Sequence, residues 1–555
     1  MHISRPSLSV SVLVAVAALA AHVALHPVSA HAIVPLGQFG EGPGDQAGLL
    51  DPALGVAVDG SGRVYVSEVN RISVFSPRGA FLRAFGKDVV PGNANGEFEQ
   101  CTTVCKNGVP GGEEGALDGA AGIATDAEGV LYVAEASNRR ISVFDQQGRF
   151  LRAFGRDVDP TNAGTGPEVC TQRCQRGQSG SGPGALGAPQ SVAIDSAGVL
   201  WVPDAVNSRV SLYTRDGRFV RAFGKGVNRV LGGRTDRCTT RCGPGVRSGD
   251  AGALSFPAAA AVDAAGNIYV TERDNRRVSV FGPNHAFRHA FGADVVPSNG
   301  QNQFEVCTPA TGCKSGTTGA VFGGGGSSGP RPRANGPGIL NQPIGIAIAP
   351  DGRIHVAETL NRRVSVFSPA PAFLGAFGKD VVPDNPVTAF EECTVSCKAG
   401  AAGAGPGELA NPELVAFDCR GALYVAEDAN GRVQRFGEPG TEEPPCVEPA
   451  ALARPFGIAN VDRDPRRGGA TLTLTVPWSA SLRLRGRGIR PAAAQVEFRR
   501  RVRLAVRPTR STLRRLRRHG SARVRVDVTY WPWGGTRRTK SRRIVLRLRG
   551  VTSGR

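Results

Sequence analysis

Six copies of one short phrase dominate the sequence and constrain its fold more than any other feature. Each copy is centred on a glycine in a tight turn, and successive glycines are 67, 69, 68, 86 and 69 residues apart. These glycines are Gly62, Gly129, Gly198, Gly266, Gly352 and Gly421. A repeat of this length indicates one supersecondary unit that cannot bury its apolar faces alone and must pack against its neighbours.

Each copy contains four pieces that alternate apolar with small or polar residues, the period of a half-buried strand. In the first copy the pieces are 54–59, 64–68, 70–75 and 81–86. Short turns join them, which predicts a four-stranded antiparallel meander. Stacking several meanders radially buries both faces of each, so the sequence predicts an all-β fold with a β-propeller.

The sixth copy ends after its third piece, 432–436. The segment 32–40 resembles the fourth piece of the other copies, with the same Phe-Gly ending. We therefore expect this N-terminal segment to complete the last blade and close the ring. The N-terminal strand would then pair with the last strand of the repeat region.

The phrase itself resembles the NHL repeat. The second copy shows it well, with 122–126 (Gly-Ile-Ala-Thr-Asp), 131–135 (Leu-Tyr-Val-Ala-Glu) and 138–144 (Asn-Arg-Arg-Ile-Ser-Val-Phe). The resemblance covers about residues 32–440 and implies a six-bladed propeller. It does not fix a function, because the family includes enzymes, extracellular sensors and modules that bind protein or RNA.

The N-terminus has the pattern of a secretory signal peptide. A short basic start precedes an apolar run from Leu8 to Leu25 and a small-residue ending at Ala30. We expect cleavage after Ala30, with an uncleaved anchor as the alternative. The domain prediction is accordingly a signal peptide at 1–30, the propeller at 31–440, a linker at 441–455 and a second domain at 456–555. The expected location is secreted or associated with the cell envelope.

Twelve cysteines fall into sequence-local pairs, and an even number in an exported chain favours disulfides. The pairs are Cys101/Cys105, Cys170/Cys174, Cys238/Cys242, Cys307/Cys313, Cys393/Cys397 and Cys419/Cys446. The alternative is zinc, which needs two pairs converging on one ion. Five pairs lie in the connections of roughly 30 residues between copies, which we expect on the same face of the propeller as the turns after the second strands. They would preorganise binding loops or protect those loops from proteases, and the sequence leaves both open.

Three polar residues recur in every copy: an acid that ends the second strand, then an Asn and an Arg. The set is Glu68, Asn70, Arg71, Glu135, Asn138, Arg140, Asp204, Asn207, Arg209, Glu272, Asn275, Arg277, Glu358, Asn361, Arg363, Glu427, Asn430 and Arg432. Residues repeated once per blade serve blade structure, so we interpret them as structural. The alternative is a cation-binding ring of six acids at the channel mouth.

The sequence does not support an enzyme, and it predicts no catalytic residue, cofactor or metal ligand. Zinc lyases built on this type of propeller need several His ligands from different blades. Downstream of the predicted signal peptide the histidines are few and scattered: His31, His285, His289, His355 and His519. A calcium site made of carboxylates, as in gluconolactonase-like propellers, remains the alternative.

The basic charge of the chain is confined to its C-terminal segment. Residues 451–555 hold 28 Lys and Arg against 4 Asp and Glu. Alternating strands there predict a small antiparallel β-sandwich with one Arg-rich outer face, and the segment resembles an Ig-like module. Such a field attracts polyanions. The candidate contacts are Arg483, Arg485, Arg499, Arg503, Arg523, Arg525, Arg547 and Arg549.

Together these features favour a non-enzymatic binding or scaffold protein. The propeller face would take a protein or glycan ligand, and the basic sandwich would hold an anionic cell-wall polymer without reading nucleic-acid sequence. The alternative is a calcium-dependent hydrolase or lyase.

Overall fold

The computed structural model describes residues 33–438, with gaps at 41, 93–95, 163–165, 230–234, 299–302 and 318–335. It also describes residues 457–548, with gaps at 476–479, 497–500 and 533–537. Nearly all regular structure in these ranges is β. The predicted signal peptide and linker lie outside them. No helix in the described ranges is both long and apolar enough to cross a membrane.

Residues 33–438 form six antiparallel sheets. In each sheet the strands pair in chain order from the first strand outwards, and in sheet 6 the N-terminal strand is added as the outermost one. The N-terminal strand is β1 (Val34–Phe39). Sheet 1 contains β2 (Gly55–Val58), β3 (Val64–Glu68), β4 (Arg71–Phe75), β5 (Phe81–Lys87) and β6 (Phe98–Cys101). Sheet 2 contains β7 (Ala120–Thr125), β8 (Leu131–Glu135), β9 (Arg140–Phe144), β10 (Phe150–Arg156) and β11 (Pro167–Cys170). Sheet 3 contains β12 (Ala193–Ile194), β13 (Val199–Asp204), β14 (Arg209–Thr214), β15 (Phe219–Lys225) and β16 (Thr235–Cys238).

The later three sheets repeat this pattern. Sheet 4 contains β17 (Pro257–Val262), β18 (Ile268–Glu272), β19 (Arg277–Phe281), β20 (Phe287–Ala293) and β21 (Phe304–Cys307). Sheet 5 contains β22 (Pro343–Ile348), β23 (Ile354–Glu358), β24 (Arg363–Phe367), β25 (Phe373–Lys379) and β26 (Phe390–Cys393). Sheet 6 contains β27 (Pro412–Phe417), β28 (Leu423–Glu427) and β29 (Arg432–Gly437), with β1 as its outer strand.

The first strands of the sheets contact one another in a closed ring, β2 to β7, β12, β17, β22, β27 and back to β2. This is the arrangement of a β-propeller. Each fourth strand also places an aromatic ring against the end of the next sheet's third strand. The centroid distances are 5.0 Å for Phe85–Phe144, 5.1 Å for Phe154–Tyr213, 5.0 Å for Phe223–Phe281, 4.9 Å for Phe291–Phe367 and 5.0 Å for Phe377–Phe436.

The N-terminal strand closes the ring as the sequence predicts. β1 pairs antiparallel with β29, with Phe39 opposite Val433. Phe39 then lies 4.8 Å from Phe75 of sheet 1, the same contact that joins the other neighbouring sheets. Each aromatic pair adds about 0.5–1.5 kcal/mol beyond its buried area, so the terminal strand stabilises the last interface by the same kind of contact that joins the other sheets.

The prediction of four strands per sheet is wrong for five of the sheets. The Phe-x-x-Cys segment of each long connection forms a fifth, outermost strand, so that Phe98 pairs with Lys87 and Cys101 with Ala84. The alternation in burial along this strand matches a half-covered edge. The sequence prediction treated these residues as loop because only four residues alternate, too few to distinguish from an extended loop.

The turn into the fifth strand uses a left-handed backbone residue. Asp88 has a φ of 56°, and its counterparts Asp157, Asp294 and Asp380 share this conformation. Sheet 3 has Gly226 there, with a φ of 78°. Asp and Gly are both tolerated at positive φ, which explains why the third copy departs from the Lys-Asp-Val-Val-Pro pattern without losing its fold.

The range 457–548 holds a three-stranded and a four-stranded sheet around one apolar core that includes Leu472, Leu484 and Val526. The first sheet contains β30 (Gly457–Asp464), β31 (Gly469–Thr475) and β34 (Arg501–Val506). The second contains β32 (Ala480–Arg485), β33 (Ala492–Val496), β35 (Ser521–Pro532) and β36 (Arg538–Arg547). Helix α1 (Arg510–His519) begins after the N-cap Thr509 and ends at the left-handed Gly520.

Candidate functional site

The repeated acid, Asn and Arg form a fully buried network that fixes one end of each sheet. In sheet 2, Glu135 accepts from Arg140 Nε at 2.9 Å and from Asn138 Nδ2 at 2.5 Å. Arg140 also donates to the carbonyls of Ala116 at 2.8 Å and Gln175 at 3.1 Å, which belong to the connections on either side. In sheets 2–5 the network therefore joins its sheet to two connecting segments.

The same acid–Arg pair is present in all six sheets. The acids Glu68, Glu135, Asp204, Glu272, Glu358 and Glu427 are buried, as are the arginines Arg71, Arg140, Arg209, Arg277, Arg363 and Arg432. Five of the six asparagines, Asn138, Asn207, Asn275, Asn361 and Asn430, donate to the acid, whereas Asn70 does not. Because these carboxylates are occupied by N–H donors inside the protein, the six acids do not form a cation-binding ring.

Sheet 3 carries a defect in this network. Asp204 is one methylene shorter than the glutamate of the other sheets, and Arg209 Nε lies 3.8 Å from its carboxylate. Arg209 Nε and Ser211 Oγ are both buried without a hydrogen-bond partner. In sheet 2 the corresponding Arg140 Nε and Ser142 Oγ both donate to the glutamate.

Replacing Asp204 with glutamate is expected to raise the free energy of unfolding by about 1–2 kcal/mol, because two buried donors regain an acceptor. Urea denaturation followed by circular dichroism measures the change. The matched control is Glu135→Asp, which introduces the same defect in sheet 2 and should lower the free energy of unfolding by a similar amount. A neutral or destabilising D204E would contradict the assignment.

The cysteines lie at the outer edge of the sheets. The structure forms the disulfides Cys101–Cys105, Cys170–Cys174, Cys238–Cys242, Cys307–Cys313 and Cys393–Cys397. Cys419 is also disulfide-bonded, and its predicted partner Cys446 lies outside the described residues. In sheet 1 the disulfide is buried against Ala84 and Val89. The expectation that the disulfides lie on the face with the acids is therefore wrong, because the fifth strand carries each one back along the sheet edge.

The centre of the ring is narrow. Leu414 of β27 donates its backbone N–H to the carbonyl of Leu54 at 3.2 Å. A Cβ added to Gly122 of β7 would lie 2.9 Å from Leu414 Cδ1. Since β7 and β27 are separated in the ring by β2, the Leu414 side chain projects into the channel past that strand. Any ligand that approaches from the network end therefore meets this constriction and the residues above it.

One carboxyl group stands at that constriction with an altered pKa. Enclosure by the protein raises the pKa of Glu413 to about 8, and the nearby Asp428 carboxylate adds to the effect. Thr359 Oγ1 lies 3.5 Å from Glu413 Oε1 and donates to the carbonyl of Pro412 at 2.9 Å. Arg273, which opposes the rise, lies 3.3 Å above the Phe256 ring.

The pKa of Glu413 predicts how stability depends on pH. The folded state binds this proton more tightly than the unfolded state, so stability falls as pH rises from about 4.5 to about 8. Between these limits wild type should lose on the order of 2 kcal/mol relative to Glu413→Gln, a figure reduced because the side chain is partly exposed. Thermal unfolding of both proteins across this pH range provides the test. Asp428→Asn should lower the pH at which wild type loses this stability. Parallel plots of unfolding temperature against pH for wild type and E413Q would contradict the prediction.

Sequence reasoning missed this region because it concentrated on what the copies share. Glu413 and Leu414 follow the proline that starts the last inner strand, and Arg273, Thr359 and Asp428 directly follow a repeated acid. At the position after the repeated acid, the six copies carry residues of different chemistry. We define the rim as the six residues that follow the repeated acids: Val69, Ala136, Ala205, Arg273, Thr359 and Asp428.

The candidate polyanion contacts of the C-terminal range do not share one surface. Arg483, Arg485, Arg523, Arg525 and Arg547 are exposed and alternate with core residues on the four-stranded sheet. Arg503 is exposed on β34 of the three-stranded sheet, so the prediction of a single Arg-rich face is wrong for it. Arg525 is paired with Asp527 at 3.1 Å. Arg499 and Arg549 lie outside the described residues.

No family model matches the chain. A stretch of 190 residues, 34% of the chain, is 26% identical to the protein brain tumor of Drosophila melanogaster, of which it covers 14%. The chain thus spans only a small part of that relative.

Three similar solved structures have identities too low to transfer an activity. They are virginiamycin B lyase from Staphylococcus aureus, the WD40 β-propeller domain of Doa1, and a gluconolactonase from Xanthomonas campestris. The lyase is 11% identical with a TM-score of 0.35, over 71% of this chain and 97% of that one. The Doa1 domain is 9% identical with a TM-score of 0.35, over 74% and 98%. The gluconolactonase is 12% identical with a TM-score of 0.31, over 71% and 88%.

Proposed function

We propose that the chain is a secreted or envelope-associated binding protein without catalytic activity. It would consist of a six-bladed NHL-type propeller that binds a protein partner and a basic Ig-like sandwich that binds polyanions. The observation that carries the proposal is the division of the rim. In sheets 1–3 the rim residues are Val or Ala, of which Ala205 is buried, and in sheets 4–6 they are Arg, Thr and Asp, of which Thr359 is buried.

Exposed valines extend the apolar half of the rim. Val69 of the rim is 37% exposed, and Val206, which follows the rim residue Ala205, is 55% exposed. Val109 and Val246 are 40% and 43% exposed and bond the carbonyls at the ends of β5 and β15, close to the same face. These valines and the charged rim residues lie towards one face, and we take this mixture of apolar and charged side chains to favour a protein partner over a glycan.

The buried networks favour binding for a second reason. Each rim residue directly follows an acid whose carboxylate accepts from backbone donors, and in every sheet except sheet 3 also from an Arg. The rim is therefore held in place before any partner arrives. A partner then loses less free energy to ordering the surface that it meets.

Variants of the rim provide the test. Full-length mature protein is immobilised and used to capture partners from an envelope extract, with the amount of the captured partner as the readout. Val206→Arg and Asp428→Lys should each reduce capture at least about tenfold, as expected for a central interface residue. The control is Asp145→Lys, at the opposite end of sheet 2, which should leave capture unchanged. Equal loss in all three variants would indicate non-specific binding and overturn the proposal.

The basic four-stranded face gives a separate prediction. On a polyphosphate column the double variant Arg483→Glu/Arg523→Glu should elute at a lower salt concentration than the mature wild-type protein. Each phosphate contact that is lost reduces the slope of log affinity against log salt concentration by about one. The matched control places the same charge change on the other sheet, in Arg503→Glu/Arg463→Glu. Equal shifts in both variants would show that only net charge counts and that the four-stranded face is no binding surface.

A calcium-dependent hydrolase is the second candidate, and one observation favours it. Glu413, whose pKa is near 8, stands close to the Asp428 carboxylate, a combination that general-acid catalysis uses. Within the described residues no three His, Cys, Asp or Glu side chains group as a metal site. Hydrolysis of a lactone or ester that is lost with EDTA and in E413Q, while partner capture persists, would support this candidate instead.

A further inference from the structure

Helix α1 closes one end of the two C-terminal sheets by packing on a turn of each. A Cβ added to Gly468, in the turn between β30 and β31, would lie 3.1 Å from Leu516 Cδ1. One added to Gly488, in the turn between β32 and β33, would lie 2.6 Å from Thr512 Oγ1. The backbone N–H of Thr509 also donates to the carbonyl of Gly488 at 3.0 Å. The helix and the two turns therefore form one continuous surface.

This surface carries a dense group of exposed arginines, which we call the basic end. They lie in the two turns, in the approach to α1 and on α1 itself. The basic end comprises Arg466, Arg467, Arg487, Arg490, Arg507, Arg510, Arg514, Arg515, Arg517 and Arg518, and all of these residues are exposed. It is thus a larger group of arginines than the five exposed candidates on the four-stranded face.

Acidic side chains do not neutralise the basic end. Asp464 is the acid in a turn beside α1, and its Oδ1 accepts two backbone N–H groups of that turn at 3.1 and 3.2 Å. Asp527 pairs with Arg525 on the four-stranded sheet at 3.1 Å. Within the described part of the chain, no guanidinium of the basic end forms an ion pair. The acids of residues 457–555 are Asp462, Asp464, Glu497 and Asp527.

The chain that continues from this end adds no acid either. Leu548 donates its backbone N–H to the carbonyl of Gly520, the residue that ends α1, at 2.9 Å. Residues 549–555 follow with two arginines and no Asp or Glu. Glu497 comes directly after Val496, which pairs with Ala480 at the opposite end of the sheet. The positive charge around α1 is therefore uncompensated within residues 457–555.

The charges along α1 are unfavourable for the helix itself. Arg510, Arg514 and Arg518 are spaced four residues apart, so they project from one side of the helix at intervals of about 6 Å. Like charges at this spacing destabilise a helix, and the first turn has no acid to complement the helix dipole. The helix is held by its buried residues Thr512 and Leu516. The row of arginines does not stabilise the fold, and an anionic ligand would give it a role.

The make-up of the basic end indicates the kind of anion. Ten guanidinium groups exceed what one small anion can contact, which favours a polymer. Guanidinium groups bind phosphate oxygens in a bidentate geometry. A tetrahedral phosphate accepts from several directions, as arginines on a helix and on two turns require, whereas a carboxylate accepts in one plane.

Two further features separate the possible phosphate-bearing ligands. Binding of a helix to a lipid surface needs apolar side chains that enter the lipid, but Leu513 and Leu516 of α1 pack on the domain core. Single-stranded nucleic acid is held by aromatic side chains on which the bases stack, and α1 and its two turns contain no Phe, Tyr or Trp. The surface therefore fits a phosphate chain without bases or lipid tails.

We propose that the basic end is the main polyanion-binding surface of this chain and that its ligand is a linear phosphate polymer. The polymer runs along the row of Arg510, Arg514 and Arg518, and the arginines of the turns contact it from the sides. This inference rests on the polyanion binding proposed above. It places the centre of that binding at α1, with the four-stranded face as a secondary contact.

The test is calorimetric titration of full-length mature protein with inorganic polyphosphate at several salt concentrations. At about 0.1 M salt, Arg514→Gln/Arg518→Gln should weaken binding at least about tenfold and lower the slope of log affinity against log salt concentration by about two. The matched variant Arg483→Gln/Arg523→Gln removes the same charge from the four-stranded face and should weaken binding less than about threefold. Glutamine is a good helix former, so the α1 variant should unfold at the wild-type temperature or above it, and lost binding cannot be ascribed to unfolding.

The outcomes separate this inference from the proposal on which it rests. Equal losses in the two double variants would show that only net charge counts, which overturns the site at α1 and leaves polyanion binding intact. No binding of polyphosphate to wild type would overturn polyanion binding itself. Polyglutamate, oligo-dT and phosphatidylglycerol vesicles should each bind more weakly than polyphosphate at equal charge concentration. Tighter binding of any of these three would overturn the assignment of the ligand.

Discussion

Replacing Arg140 with methionine is expected to lower the free energy of unfolding by about 3–5 kcal/mol, because the change leaves a buried carboxylate without its partner. Arg140 and Glu135 are both 0% exposed, and their side chains are joined at 2.9 Å. The carbonyls of Ala116 and Gln175 lose their donor in the same variant. Urea denaturation followed by circular dichroism measures the loss.

Two comparisons separate this explanation from a general effect of removing arginine. Arg149→Met removes an arginine that is paired with Asp145 at 2.7 Å on the surface, and it should change stability by less than about 1 kcal/mol. Glu135→Met combined with Arg140→Met should be less destabilised than Arg140→Met alone, since no unpaired charge is then buried. If Arg140→Met were as mild as Arg149→Met, the networks would not be the framework of the rim.

Removing the five local disulfides is expected to prevent folding at 37 °C. In a chain-entropy estimate, a loop as short as that between Cys101 and Cys105 contributes roughly 2 kcal/mol. The five bridges lie in different sheets, so their contributions should nearly add, to about 10 kcal/mol. This equals the whole stability of an ordinary domain. The measurement is the yield of soluble protein with all ten cysteines replaced by alanine.

Single-pair variants provide the internal control. Cys101→Ala/Cys105→Ala alone should fold, with its free energy of unfolding reduced by about 2 kcal/mol. Its fifth strand should also become the preferred site of limited proteolysis, because the disulfide holds that strand against Ala84 and Val89. If the variant that lacks all five bridges folds normally, the apolar contacts at the sheet edge are sufficient for folding.

The repeats made the architecture readable from sequence. Periods near 68 residues and four alternating segments per copy led to the sheets, and the Phe-Gly ending of 32–40 led to the strand that closes the ring. These inferences depend on local patterns, which the chain carries in every copy. The fifth strands were missed because their pairing depends on the left-handed turn at Asp88 and its counterparts, and a single backbone angle leaves little trace in composition.

The candidate sites were predicted less well than the architecture. The repeated acid, Asn and Arg were found easily, yet they are buried structural groups. Glu413 and Asp428 were not singled out, since neither belongs to a conspicuous motif. Their proximity arises within sheet 6, where β27 and β28 pair antiparallel and place Pro412 opposite Glu427.

The histidine in sheet 5 illustrates the same limit. From sequence, His355 is a variant of the tyrosine position, which the structure shows to be correct. The sequence did not connect it to Ala349, although both residues line one cavity between sheets 5 and 6.

The sequence by itself determined the first four strands of each sheet, the closing strand, five of the cysteine pairs and the location of the basic charge, because each is encoded in a local periodicity or a local count. Only the tertiary structure decided which polar groups are accessible. It buried the eighteen repeated residues or placed them at structural turns, moved the disulfides to the sheet edges, and separated Arg503 from the other arginines. Accessibility depends on which strands become neighbours, and this is a property of the closed ring and the packed sheets, not of any one segment.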